Sequence, residues 1–288
     1  MSRIKFITDS AADIPAALRE KYNIQVMSFP IAAGDREYED GVDLTPQEFY
    51  AMLLSLPQIP THAQLTPFVF EECFEQVWRQ GYDHLIYTSI NSKASATHSN
   101  AIQARDSFFD EHPEAREKFH IHIIDSLTYT MGYGWAVVEG ARMAEEGKSV
   151  EEICAFIQDW VNHVRVLFVP FDLKFAKKSG RVSAAAAFVG EALGLKPIMT
   201  FEEGASKVVS KVRGEKAVIP AMLKMCQEER EEGSPYLIIR ADNSVQADLL
   251  SETCAQQLGQ EPAMEYYIGG VIAINAGPNL MGLVYRKK

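Results

Sequence analysis

Through the first half of the chain, apolar and polar positions alternate between two periods. Short apolar runs at 4–8, 24–29, 84–88 and 121–125 read as strands bounded by polar residues. Stretches with apolar residues at helical spacing lie between them. Asp13 with Pro15 opens a helix through residue 22, and Thr66-Pro67 opens one that ends at Gly81. Residues 95 to about 111 and about 131 to 146 are also predicted helical. Two further helices announce their starts with capping boxes. Thr45-Pro46-Gln47-Glu48 leads into Phe49, Met52, Leu53 and Leu56, and Ser149-Val150-Glu151-Glu152 leads into Ile153, Phe156, Ile157, Trp160 and Val161. This alternation implies a mainly parallel sheet with helices on both faces.

After 166–169 the rhythm changes. Pro170 and Lys177-Lys178-Ser179-Gly180-Arg181 break the pattern, and an alanine-rich helix is predicted at 184–193, followed by a strand at 196–201. Residues 206–213 alternate polar and apolar, as a half-exposed antiparallel strand does. Helices near 215–232 and 245–258 flank a strand at 236–240, and another strand is predicted at 264–268. At 288 residues the chain exceeds the usual span of one core. The fold class expected is α/β with two domains. Residues 1–164 form a parallel-sheet domain, and residues 165–288 form an α/β domain with a mixed or antiparallel sheet.

Residues 268–285 are apolar but broken by Asn275, Gly277, Pro278 and Asn279. Two amides and a proline at the centre argue against a membrane span. The segment is predicted as two buried strands around a polar turn, which sets amide groups beside apolar walls as a site for a greasy ligand requires.

Composition narrows the function classes. With 47% apolar and 23% charged residues the chain has the make-up of a soluble globular protein. A net charge of −11 argues against a general nucleic-acid binder, which needs a basic face. No signal peptide is read at the N-terminus. Cys73, Cys154, Cys226 and Cys254 lie far apart with no Cys-x-x-Cys pair, so free thiols in a reducing cytoplasm are expected.

Three polar clusters are candidates for chemistry. Thr8-Asp9-Ser10 and Ile124-Asp125-Ser126 close two predicted parallel strands, where ligands bind at the carboxyl edge. Asp and Ser there also serve as ordinary caps. The run from Thr88 to Ser99 is the densest group of small donors, with Ser92, Ser95 and Thr97 ahead of a helix, where hydroxyls and amides together hold an anion. Ser95 is equally placed to be a plain N-cap. The third is Pro60-Thr61-His62-Ala63-Gln64-Leu65-Thr66-Pro67. No Walker loop, dinucleotide fingerprint, nucleophile elbow or zinc spacing occurs, so neither a metal nor a cofactor is expected. Between Lys174 and Lys216 nine basic residues accompany four acidic ones, a local basic patch in an acidic chain. An alternative from another class is a serine-type hydrolase acting on a small acyl or phosphoester substrate. It would use Ser95 or Ser92 with His62 or His98 and an aspartate such as Asp9 or Asp125.

Taken in order, the segments resemble the DegV family of bacterial fatty-acid-binding proteins. The likeness rests on Thr-Asp-Ser at 8–10, Pro-Thr-x-x-Gln at 60–64, Ser-x-x-Ser-x-Thr at 92–97 and Asp-Ser at 125–126. It continues through Lys-Lys-Ser-Gly-Arg-Val-Ser at 177–183, Gly-x-x-Leu-Gly-Leu-Lys-Pro-Ile at 190–198, Lys-Val-Arg-Gly at 211–214 and Ile-Gly-Gly-Val-Ile-Ala-Ile-Asn-Ala-Gly-Pro at 268–278. The resemblance implies a long-chain fatty acid in a buried tunnel between the domains, its carboxylate at the crevice. It implies a carrier and not an enzyme, which presents the acid to a separate fatty acid kinase for acyl-phosphate formation in phospholipid synthesis. The setting it implies is cytoplasmic and bacterial, with no integral membrane segment and at most transient membrane contact.

Carried over by motif, Ser95 matches the family's carboxylate-binding serine. His62 falls where the family usually has a threonine, and Asn275 where it usually has a histidine. The expectation is that His62 and Asn275 have exchanged roles, with Thr61, Ser92 and Thr97 completing the carboxylate site. The alanine-rich helix at 184–193, with Phe188, Val189 and Leu193, is expected in the tunnel wall, and core packing explains its apolar residues almost as well. Arg181 and Arg213 match arginines associated with docking the kinase.

Overall fold

Three of the four parallel strands of the first half are apolar runs closed by a polar residue, Asp9, Ser89 or Asp125, and one sheet gathers those polar ends along one edge. The computed structural model describes residues 3–188, 194–242 and 244–288. In chain order the first half contains β1 (Ile4–Asp9), α1 (Ala16–Lys21), β2 (Gln25–Met27), β3 (Pro30–Ala33), β4 (Arg36–Glu39), α2 (Pro46–Ser55) and β5 (Thr61–His62). It continues with α3 (Pro67–Arg79), β6 (His84–Ser89), α4 (Thr97–Glu111), β7 (His120–Asp125), α5 (Met131–Glu145) and α6 (Val150–His163). The main sheet has the order β2-β1-β6-β7, all parallel. A small antiparallel sheet, β4-β3-β5, stands apart from it and carries His62 opposite Ile31.

Both capping boxes form. The Thr45 hydroxyl accepts the Glu48 N–H while the Glu48 carboxylate accepts the Thr45 N–H, and Ser149 with Glu152 repeats the arrangement. Each satisfies two of the N–H groups that a helix start leaves unpaired.

The second half contains β8 (Val164–Pro170), α7 (Lys174–Ser179), α8 (Ser183–Ala186), β9 (Leu195–Glu202), β10 (Ala205–Arg213), α9 (Val218–Glu229), β11 (Tyr236–Arg240), α10 (Ser244–Leu258), β12 (Met264–Tyr267), α11 (Gly270–Ala276) and β13 (Leu280–Arg286). Its sheet runs β10-β9-β8-β13-β11-β12, antiparallel except for the β11–β12 pair. The change of sheet falls where α6 passes into β8. Glu203 and Gly204, both at positive φ, turn β9 into β10, as the tightest hairpins require. That hairpin tip reaches the first half: the Asn91 side-chain amide donates to the Gly204 carbonyl at 2.7 Å and to the Tyr129 hydroxyl at 2.9 Å. One buried apolar cluster runs continuously from Phe6 in β1 to Val284 in β13, so the two sheets share a core. A second cluster fills the far side of the six-stranded sheet.

The segment 268–285 departs from expectation. It is not two strands around a turn but the helix α11 followed by strand β13, with Pro278 and Asn279 between them. The run Val271-Ile272-Ala273-Ile274 reads locally as a strand. Its helical form is imposed by acceptors far away in sequence, because buried Asp13 and Asp40 take the first backbone N–H groups. Gly270 permits that approach: a Cβ there would lie 2.8 Å from Asp40 Oδ1 and 2.9 Å from Ile31 Cδ1. Of the alanine-rich helix predicted at 184–193, α8 covers Ser183–Ala186, and 189–193 lie outside the described residues.

A candidate lipid pocket between the two sheets

The polar residues that close β1 and β7 are structural supports of the crevice. Asp9 is fully buried, and its Oδ2 accepts the Ile90 N–H at 2.8 Å and the Tyr87 hydroxyl at 3.1 Å. Its Oδ1 accepts the Tyr133 hydroxyl at 2.5 Å. Burial lifts its pKa to about 6, against the pull of those hydrogen bonds. Asp125 Oδ1 accepts the N–H groups of Ser92 and Leu127, each at 3.1 Å, and so shapes both loops beside it. The loop at 60–66 is latched to α4, with the Asn100 amide donating to the Leu65 carbonyl at 2.7 Å. Leu65 N–H in turn donates to Thr97 Oγ1 at 3.4 Å. His62 and Ser95 are thereby brought to the same cavity.

α11 delivers the third group. Gly269 N–H donates to Asp13 Oδ1 and Gly270 N–H to Asp40 Oδ1, both at 2.7 Å, and Ser10 Oγ donates to Asp40 Oδ2 at 2.7 Å. Tyr50 donates to the Ile268 carbonyl at 2.5 Å. With its start fixed in this way, α11 directs Asn275 into the cavity and its amide nitrogen to His62 Nε2 at 2.8 Å.

The cavity holds about 740 Å³ of atom-free space, part of it open to solvent. Its walls come from both sheets and from α11: Phe29, Val166, Phe168, Phe201, Ile239 and Val271 are among them. Phe168 and Phe201 stack at 5.0 Å, and Tyr129 leans on Phe201 at 4.4 Å. Polar side chains sit among these walls at His62, Ser95, Tyr129, Thr130, Arg181 and Asn275. Three of them, His62, Arg181 and Asn275, also line an outer groove with Pro60, Thr61, Lys178 and Ser179. Three of the six polar lining side chains, the one formal charge among them, therefore lie at its mouth. Among the described residues, Arg181 carries the only formal charge of the cavity lining once His62 is neutral. Burial, and then the Arg181 charge, push the His62 pKa below the ordinary histidine value. An apolar chamber with neutral donors and one cation at its opening fits a long apolar chain ending in an anion.

The residues singled out in the sequence divide into two groups. His62, Ser95 and Asn275 line the cavity. Thr61 is exposed in the outer groove, Ser92 is absent from the cavity wall, and Thr97 is buried behind Ser95, their hydroxyls 2.8 Å apart. α4 begins at Thr97, two residues after Ser95, whose Oγ accepts the Thr97 N–H at 3.3 Å. Phe188 is buried, but with its ring beside Lys211 Nζ and not in the cavity wall; that stretch reaches the cavity through Arg181 and Val182. Val189 and Leu193 lie outside the described residues. Arg213 is exposed at the end of β10.

Neither Ser95 nor Ser92 hydrogen-bonds a histidine among the described residues. The Ser–His contact that does form joins Ser89 Oγ and His98 Nδ1 at 2.9 Å, and Ser89 is fully buried. Missed by the sequence reading were Tyr129 and Thr130. Thr130 is buried at φ 53°, a strained conformation for a β-branched residue. The signal available for them was the hydroxyl-rich run continuing past Asp125-Ser126. No group of three or more possible metal ligands converges among the described residues. Nor is any described helix long and apolar enough to cross a membrane.

This fold, two α/β halves closing on an apolar chamber with a polar mouth, has known relatives. The family described as "Uncharacterised protein, DegV family" matches residues 3–288, and the chain belongs to the DegV family. A DegV domain-containing protein of Caldanaerobacter subterraneus subsp. tengcongensis is 33% identical over the full length of both chains. Among solved structures, a DegV family protein from Thermus thermophilus, described as fatty-acid-binding, superposes with TM-score 0.88 at 27% identity, covering 99% of this chain and 100% of its own. A fatty-acid-binding DegV family protein from Streptococcus agalactiae does so with TM-score 0.85 at 25% identity, covering 100% of both.

Proposed function

We propose that this protein binds a long-chain fatty acid in the chamber between its two halves, with the carboxylate at the mouth beside His62, Ser95 and Arg181. The observation that carries this reading is the polarity gradient of one cavity. Phe168, Phe201, Ile239 and Val271 line its interior, while His62, Arg181 and Asn275 are shared with the outer groove. Burying an alkyl chain there contributes about 0.8 kcal/mol per methylene, and each hydrogen bond to the carboxylate about 1.5–3 kcal/mol. The fatty-acid binding described for the Thermus thermophilus relative supports the same reading. In this view the protein is a carrier whose halves, residues 1–164 and 165–288, are two domains. A fatty acid kinase takes the presented carboxylate, and Arg213, exposed and within the basic stretch, belongs to the surface it docks on. No cofactor other than the bound acid is required for this role.

Mass spectrometry of an organic extract of the purified protein tests the reading. A fatty acid at one equivalent is expected. A protein that contains none, and binds none when titrated with C16 and C18 acids, would overturn it.

A further inference from the structure

The contacts of Asn275 settle which of its two amide atoms faces which partner. One amide atom lies 2.7 Å from the Val271 carbonyl oxygen, one helical turn back, and 2.8 Å from His62 Nε2. A carbonyl oxygen only accepts hydrogen bonds, so that atom is the nitrogen, Nδ2. An amide nitrogen only donates, so His62 Nε2 is the acceptor and carries no proton. His62 is then neutral with its proton on Nδ1. Both hydrogens of the Asn275 amide are committed, one to each partner. Its Oδ1 receives no hydrogen bond among the described residues and can only accept.

An acceptor of this kind repels a carboxylate. We propose that Asn275 is a positioning residue and not a carboxylate donor: it fixes His62 as the Nδ1–H tautomer. The free His62 Nδ1–H and the Ser95 hydroxyl then meet the head group of the bound acid. This rests on the fatty-acid reading above. The ring has few alternatives. Its backbone is held opposite Ile31, its edge meets Phe29 at 6.3 Å, and its Nδ1 has no partner among the described residues. On the other side, the Ser95 and Thr97 hydroxyls share one hydrogen bond at 2.8 Å. With Thr97 as its donor, the Ser95 hydroxyl hydrogen is free for the ligand. A protonated His62 would set Nε2–H against the Asn275 N–H, so the hydrogen-bond geometry excludes it, and the burial of the ring and the Arg181 charge favour the same neutral state.

The test reads the ring nitrogens directly. In ¹⁵N-histidine-labelled protein, long-range ¹H–¹⁵N correlation spectra at neutral pH should show His62, assigned by its loss in His62→Ala, with a protonated Nδ1 and a bare Nε2. Asn275→Ala should release the tautomer towards Nε2–H and weaken binding of a long-chain fatty acid about two- to tenfold, the worth of one neutral hydrogen bond. Asn275→Asp should move the proton to Nε2 and weaken binding further, because a second anion joins the mouth. A wild-type His62 protonated on Nε2 overturns the proposal, as does an unchanged tautomer in Asn275→Ala. If the Nδ1–H tautomer is present but no fatty acid binds, the donor role falls together with the lipid reading.

Discussion

Asp13 and Gly269 are 256 positions apart, yet the carboxylate of one accepts the backbone N–H of the other at 2.7 Å. The bond ties the loop after β1 to the start of α11, and so connects the first sheet to the helix that carries Asn275. Asp13 makes it from a left-handed conformation, φ 51°, which aspartate and asparagine tolerate better than other side chains. Asp13→Ala should therefore lose both the acceptor and the conformational fit, costing about 2–4 kcal/mol of stability. Asp13→Asn keeps an acceptor oxygen and tolerates the same backbone conformation, so it should cost less than about 1 kcal/mol. Urea denaturation measures the difference, and equal midpoints for the two variants would refute this account of the clamp.

Acid dependence of stability carries a sign that can be checked at Asp9. Burial raises its pKa to about 6 in the fold, from 3.8. A carboxyl raised by folding binds its proton more tightly in the native state, so its contribution is full below about pH 4 and is lost as pH rises through 6. Wild type should lose about 2–2.5 kcal/mol from this group between pH 4 and pH 7, whereas Asp9→Asn should not. Asp13 and Asp40, also raised by burial, titrate in both proteins and largely cancel in the comparison. Unfolding curves at several pH values should diverge in that window; parallel curves would show that Asp9 is not protonated there.

Much of the fold was legible because it is written locally. The periods of the first half gave the parallel strands, and Thr45 and Ser149 marked two helix starts that form with both halves of their capping boxes. α11 was misread for the opposite reason. Its β-branched run favours a strand, and the groups that make it a helix, Asp13 and Asp40, are more than two hundred residues away. The site shows the same division. His62, Ser95 and Asn275 stand in recognisable motifs, while Phe168, Phe201 and Ile239 come together only through pairing within the six-stranded sheet. The position of Arg181 at the mouth depends on α7 and α8 packing beside α11 and β10, which no local pattern encodes.

Gly134 lies where α5 crosses the turn after β1. A Cβ on it would sit 2.1 Å from the Ala12 carbonyl oxygen, a backbone atom that cannot rotate away. Gly134→Ala should push that turn outward and cost about 3 kcal/mol, at the upper end of overpacking effects. Because Ala12 precedes Asp13, the α11 clamp should loosen as well, so fatty-acid retention should fall even at temperatures where the variant stays folded. Thermal melts together with ligand content after gel filtration measure both effects. Full retention at a lowered Tm would separate the packing defect from the clamp.

Arg181 and Arg213 both match arginines associated with kinase docking, but their surroundings differ. Arg181 lines the cavity and is close enough to His62 to depress its pKa. Arg213 ends β10 on the exposed surface and is absent from the cavity wall. On the proposed function, a charge at the mouth would act on a bound carboxylate directly, whereas one outside it would act only on a partner. Arg181→Ala should therefore weaken fatty-acid binding about tenfold, the worth of a charge-assisted hydrogen bond, and lower acyl-phosphate formation as a consequence. Arg213→Ala should leave binding unchanged and lower only acyl-phosphate formation with a cognate kinase. Calorimetric titration of the delipidated variants, beside kinase turnover at saturating lipid, distinguishes the two roles. If both variants bind as wild type does, Arg181 belongs with Arg213 on the docking surface and the carboxylate is held by neutral donors alone.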